Sequence, residues 1–154
     1  MTRVFARSYH GKRVVDYVPA HWGSNLTVTG ALSLNGPMAL MTLKGALDGE
    51  AFKVYVKDCL APELKPGQVV VMDNLSVHKV QGIRELVEAA GAKLIYLPPY
   101  HPDLNPIEKL WSKIKTLLRT AKARSYDALE RALSNAIKRI YATDVKAWFK
   151  CCGY

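Results

Sequence analysis

Apolar positions come in short runs through the first hundred residues and then settle into a helical period that continues almost to the end. After a ragged segment to about Pro19, β-patterned runs from Leu26 to Leu34 and from Met38 to Leu43 flank Asn35-Gly36, a dipeptide that favours a hairpin turn. A helix is predicted from Glu50 to Leu60. Gln68 to Met72, opened by Pro66-Gly67, is a short apolar run that fits a parallel strand covered on both faces. Val80, Ile83, Leu86, Val87 and Ala90 recur at helical spacing within a helix predicted from Lys79 to Ala90, and Gly91 ends it. Lys93 to Leu97 is the next strand. Strand, helix and strand with short links make a right-handed crossover with parallel strands, so both strands leave the sheet at one carboxyl edge.

Three helices complete the pattern. The first runs from Asn105 to about Thr120, with Asn105 as cap, Pro106 at the first helical position and an apolar stripe of Leu110, Trp111, Ile114, Leu117 and Leu118. The others are expected from Tyr126 to Tyr141, opened by Ser125, and from Asp144 to Lys150, capped by Thr143. Trp111 and Trp148 read as core. An antiparallel hairpin beside parallel strands and flanking helices is an α/β arrangement.

At 154 residues the chain reads as one domain, 1–154, able to bury roughly two-thirds of its unfolded surface. No repeat or long linker divides it, and no apolar run approaches the length of a membrane helix. Cys59, Cys151 and Cys152 lack zinc-ligand spacing, which makes reduced thiols in the cytoplasm the expectation. Charge changes the picture more. Eleven Lys and Arg face ten Asp and Glu up to residue 108, whereas eleven face three from residue 109 onward. Lys109, Lys113, Lys115 and Arg119 fall largely off the apolar stripe of their helix and are candidate phosphate contacts for DNA.

Candidate chemistry gathers at the carboxyl edge of the parallel strands, where ligands collect in such sheets. Asp73 follows the Val69 strand, and Glu108 is the third residue of the helix opened by Asn105. Two carboxylates at one edge suit Mg2+ or Mn2+, which takes one or two carboxylates and keeps several waters. A structural reading competes: an Asp after a strand often starts a turn, and a Glu three residues after an Asn cap is a capping-box residue. Asn74 and His78 are possible accessory residues, although Asn74 is suited to orienting the turn and His78 to capping a helix. Asp103 reads as part of the turn entering the Asn105 helix.

The runs VVVMDNLSVHK and KLIYLPPYHPDLNPIEKLWSKIK resemble the catalytic core of the DDE superfamily endonucleases, in particular bacterial insertion-sequence transposases related to mariner elements. The resemblance extends from about Val14 to Tyr154 and implies an RNase H-like mixed sheet flanked by helices, with Asp73 matching the second metal-binding aspartate and Glu108 the final acidic residue. The family's first aspartate, in an apolar strand followed by Asp-Glu-Ser, has no counterpart before Met1-Thr2-Arg3. Neither Asp16 nor Asp48 replaces it. By the resemblance, the absent strand is central, between the hairpin and the Val69 strand, and the upstream helix-turn-helix region is absent too. The chain therefore reads as the carboxyl-terminal part of a transposase.

Three functions follow as expectations. The first is metal-dependent cleavage of DNA and strand transfer, with transposon ends and target DNA as partners and this chain an incomplete, inactive fragment. The second is a DNA-binding or regulatory fragment that associates with itself or with intact transposase. The third is a general RNase H-like nuclease. The expected location is cytoplasmic, on the nucleoid when bound to DNA.

Overall fold

A computed structural model describes residues 7–15, 25–99 and 101–154. Strand β1 (Leu26–Ser33) and strand β2 (Gly36–Lys44) pair antiparallel from Leu26↔Lys44 to Ser33↔Gly36. The hairpin turn is one residue earlier than Asn35-Gly36. Leu34 and Asn35 form the loop, and Gly36, at φ 128°, already pairs with Ser33. The Ser33 hydroxyl fixes this arrangement by accepting from the Asn35 N–H and donating to the Gly36 carbonyl, both at 3.2 Å. A bulge interrupts the register between Thr29 and Ala31.

Helix α1 (Gly49–Tyr55) is capped by Asp48, whose side chain accepts from the Ala51 N–H at 2.8 Å. It widens into a π-helical turn over Val56–Leu60 and closes with a 3-10 turn over Ala61–Glu63, so the predicted helix to Leu60 is present with altered winding. Strand β3 (Val69–Met72) and strand β4 (Lys93–Tyr96) pair parallel, from Val69↔Lys93 to Met72↔Tyr96, as the crossover pattern requires. Covering on both faces does not hold. Val69 is 53% exposed and Ile95 42%, while Met72 and Leu94 are buried, so the pair presents one face to the core.

The crossover helix is shorter than its apolar stripe. A 3-10 turn covers Ser76–Lys79, Gly82 adopts φ 95°, and helix α2 (Ile83–Ala89) starts only after it. Gly82 tolerates this left-handed conformation because it has no Cβ. The stripe survives in three dimensions: Ile83 and Val87 are fully buried, and Val80 and Leu86 pack against the same cluster.

Helix α3 (Pro106–Ala121), helix α4 (Tyr126–Lys138) and helix α5 (Ala142–Cys151) follow. Ser125 caps α4 by accepting from the Ala128 N–H, as expected. For α5 the cap is Tyr141 rather than Thr143, because the Asp144 carboxylate accepts from the Tyr141 N–H at 2.9 Å and starts the helix earlier. Among the described residues the strands form two separate two-stranded sheets, β1–β2 and β3–β4. Apolar packing is likewise divided. One buried cluster joins Phe52, Tyr55, Val56, Met72, Ile83, Val87 and Leu94, and a second joins Leu110, Ile114, Leu118, Leu133 and Ala136. Trp111 and Trp148 pack half-buried against the second, in keeping with a core role.

Candidate active site

Asp73 is the first residue beyond β3, and the chain leaves β4 at Leu97, whose N–H still donates to the Met72 carbonyl at 2.8 Å. The two exits therefore lie side by side. Asp73, Asn74, Leu75, Leu97, Pro98, Pro99, His101, Pro102, Asn105 and Glu108 line one open cavity of 560 Å³. Asp73 and Glu108 thus line a common cavity from different apolar clusters: Met72 belongs to the first and Leu110 to the second.

The turn reading of Asp73 is real but partial. Its Oδ1 accepts from the Leu75 N–H at 3.1 Å, which pins the turn after the strand. The same oxygen lies 2.7 Å from Nδ1 of His78. That contact has ion-pair distance without hydrogen-bond direction, since Nδ1 is buried and forms no directed hydrogen bond. His78 sits in the Ser76–Lys79 turn, with its ring 4.4 Å from that of Phe52.

The capping reading of Glu108 fails. Glu108 is the third residue of α3, as the sequence implied, yet the Asn105 side chain makes no cap hydrogen bond and the Asn105 N–H donates to the Pro102 carbonyl at 3.1 Å. With that amide already satisfied, a capping box has no donor for Glu108 to accept from. Its exposed carboxylate has no protein partner among the described residues. The helix amino terminus favours a negative charge there.

Two carboxylates on one cavity, one free and one anchored through a single oxygen, fit a hard cation that retains several waters. They do not amount to a closed cage. Among the described residues no group of three or more His, Cys, Asp or Glu is placed to hold a metal. Two other acids of the amino-terminal half are otherwise engaged: Asp48 caps α1, and Glu63 accepts from the Ala39 N–H at 3.1 Å. Asp16 lies outside the described residues.

The basic residues of α3 are not equivalent. Lys109 and Lys115 are exposed and Arg119 is half-buried. Lys113 donates to Asp144 Oδ2 at 2.6 Å and lies 5.4 Å above the Tyr141 ring, so its ammonium fastens α5 to α3. Sequence reasoning missed that partner, because the two residues are 31 positions apart and no local pattern joins them. It also missed Phe52 and Tyr96 behind His78; the Tyr96 hydroxyl donates to the His78 carbonyl at 2.7 Å. Cys152 is buried, and burial pushes its thiol pKa up, against a smaller lowering from Lys109.

Residues 1–130 match the family described as DDE superfamily endonuclease. The chain is 27% identical over 124 residues to the transposable element Tc1 transposase of Caenorhabditis elegans, covering 78% of this chain and 45% of that protein. It is 25% identical over 130 residues to the Tcb1 transposase of Caenorhabditis briggsae, covering 82% and 48%. The chain thus spans about half the length of these relatives. Among solved structures it resembles the Mos1 transposase paired-end complex with left transposon end, with a TM-score of 0.74 and 15% identity over 99% of this chain and 50% of that one. It also resembles the Mos1 mariner paired-end complex with Mn, at a TM-score of 0.68 and 14% identity. The fold is accordingly the RNase H-like mixed α/β fold of that transposase's catalytic part. On a family match that spans most of its length, the chain belongs to the DDE superfamily endonucleases.

Proposed function

We propose that this chain is part of the catalytic region of a transposase that cleaves DNA strands and joins them to new DNA, with Asp73 and Glu108 holding Mg2+ or Mn2+. The observation that carries the reading is the Glu108 carboxylate, uncapped and without a protein partner among the described residues, on the same cavity as Asp73. A metal held by Asp73 and Glu108 would supply Lewis-acid polarisation of a phosphodiester. The chain's own residues supply the rest. Asp73 and Glu108 bring negative charge to the cavity, and Leu75, Leu97, Pro98 and Pro99 give it an apolar wall. Lys109, Lys115 and Arg119 are the candidate phosphate contacts, placed on the helix that carries Glu108, while Lys113 contributes chiefly by fastening α5. Asn74 lines the cavity beside Asp73.

Relatives named as transposases, and Mos1 complexes that hold transposon-end DNA or Mn, support DNA as substrate and a divalent metal as cofactor. A second reading, a DNA-binding partner of intact transposase without activity of its own, is favoured by one observation: the described residues bring only two acidic residues to the cavity. A strand-cleavage assay on labelled transposon-end DNA with Mn2+ separates the two. The catalytic reading expects Mn2+-dependent cleavage that is lost in Asp73→Ala and in Glu108→Ala. Cleavage that persists in both Ala variants overturns the site; DNA binding with no cleavage supports the partner reading.

A further inference from the structure

We propose that His78 is a positioning residue that fixes Asp73 through one carboxylate oxygen and leaves the other for the cation; this rests on the metal reading of Asp73 given above. Both polar contacts of the Asp73 side chain converge on Oδ1: the Leu75 N–H at 3.1 Å and His78 Nδ1 at 2.7 Å. Among the described residues Oδ2 has none. A carboxylate held at one oxygen has its terminal torsion set, so the second oxygen is presented as a single ligand rather than a rotating pair.

His78 is itself held from three sides. Its backbone N–H donates to the Leu75 carbonyl at 3.1 Å, its backbone carbonyl accepts from the Tyr96 hydroxyl at 2.7 Å, and its ring lies against Phe52, a buried member of the first apolar cluster. Nδ1 is buried and lacks a directed hydrogen bond, and the nearby polar atom that can relieve this is Asp73 Oδ1. A small ring rotation converts the contact into a directed bond, and a buried polar atom without a partner costs enough to favour that rotation. Outer partners that orient a metal-binding carboxylate or imidazole in this way typically govern about 10- to 100-fold of metal affinity.

The test follows Mn2+ binding to the full chain by the electron paramagnetic signal of free Mn2+, with thermal melts in parallel, in wild type, Asp73→Ala, His78→Ala, His78→Asn and Tyr96→Phe. His78→Ala is expected to weaken Mn2+ about tenfold. His78→Asn, whose side-chain amide can still donate toward Oδ1, is expected to recover most of that loss, and Tyr96→Phe to show a smaller loss than His78→Ala. In metal-free protein the Asp73 13Cγ resonance should move in His78→Ala and return toward its wild-type position in His78→Asn. Wild-type Mn2+ affinity in His78→Ala, where Asp73→Ala has lost it, overturns the proposal. So do losses that follow the melting temperature alone, with no rescue by Asn. If Asp73→Ala binds Mn2+ as wild type does, the metal reading falls, and an unmoved Asp73 13Cγ resonance then removes the positioning role as well.

Discussion

The turn after β3 and the first turn of α3 each bring one carboxylate to the same cavity, and they do so by opposite means. Asp73 is placed by polar contacts within five residues, to Leu75 and His78, above a short strand of the first apolar cluster. Glu108 is placed by nothing that touches its carboxylate; a sixteen-residue helix whose buried side joins the second cluster carries it to the cavity. The contrast teaches that one ligand is tuned locally and the other by rigid-body packing. Their mutual position is a property of how the two clusters meet.

The largest effect should come from the packing that carries Glu108. Leu110, fully buried two residues after it, should cost about 2–5 kcal/mol of stability on replacement by Ala, because a cavity opens in the second cluster. Chemical denaturation measures the loss, and a drop well below 1 kcal/mol would show that α3 is not fastened as described.

Next in size is the basic side of the same helix. Replacing Lys109, Lys115 and Arg119 together by Ala should lower DNA affinity and flatten its dependence on salt by up to about three in log–log slope, at roughly 0.9 for each phosphate no longer neutralised. Lys113→Ala should change the slope least of the four, since its ammonium is already bonded to Asp144. Fluorescence anisotropy across a salt series reads both; a Lys113 effect equal to the others breaks the division of roles within α3.

The two carboxylates should then differ in stability. Asp73→Ala removes a hydrogen-bonded turn and should cost about 0.5–1 kcal/mol. Glu108→Ala removes no hydrogen bond or ion pair within the protein and should stay within about 0.5 kcal/mol of wild type. Equal losses in thermal melts would place Glu108 back in a capping role.

The smallest effect is a pH response at the far side of α3. The hydrogen bond from the Lys113 ammonium, and after it that from the Tyr141 N–H, hold the Asp144 carboxyl below its ordinary pKa of 3.8. A depressed folded pKa means that the unfolded chain binds more protons in this window. The contribution is therefore complete above the ordinary value and is lost as pH falls through the depressed one. Between about pH 5 and pH 2, wild type should lose more stability than Lys113→Met, in which the largest cause of the depression is gone. Parallel acid-unfolding curves for the two proteins would remove Lys113 as its cause.

Much of this site is legible in the sequence because its frame is local. The apolar run before Asp73, the stripe from Val80 to Ala90 and the Asn105-Pro106 start place β3, the crossover and α3 close to where they stand. Pattern and structure part where a single backbone torsion or a single amide decides the outcome. Gly82 at φ 95° shortens α2, and Gly36 at φ 128° moves the hairpin turn by one residue. The full covering expected for β3 is wrong because a run of four apolar residues does not record whether a neighbour lies on each face.

Sequence by itself determined the order and parallel sense of β3 and β4, the third-residue place of Glu108 in its helix and the amphipathic side that α3 buries. Periodicity and capping act over a few residues and leave a pattern in the chain. Only the tertiary structure decided that the Asn105 amide is satisfied by Pro102 and leaves Glu108 uncapped, that His78 rests between Phe52 and Asp73, and that Lys113 belongs to Asp144. Each of these outcomes is a choice among available neighbours, and with Phe52 26 residues from His78 and Asp144 31 from Lys113, packing settles which of them comes within reach.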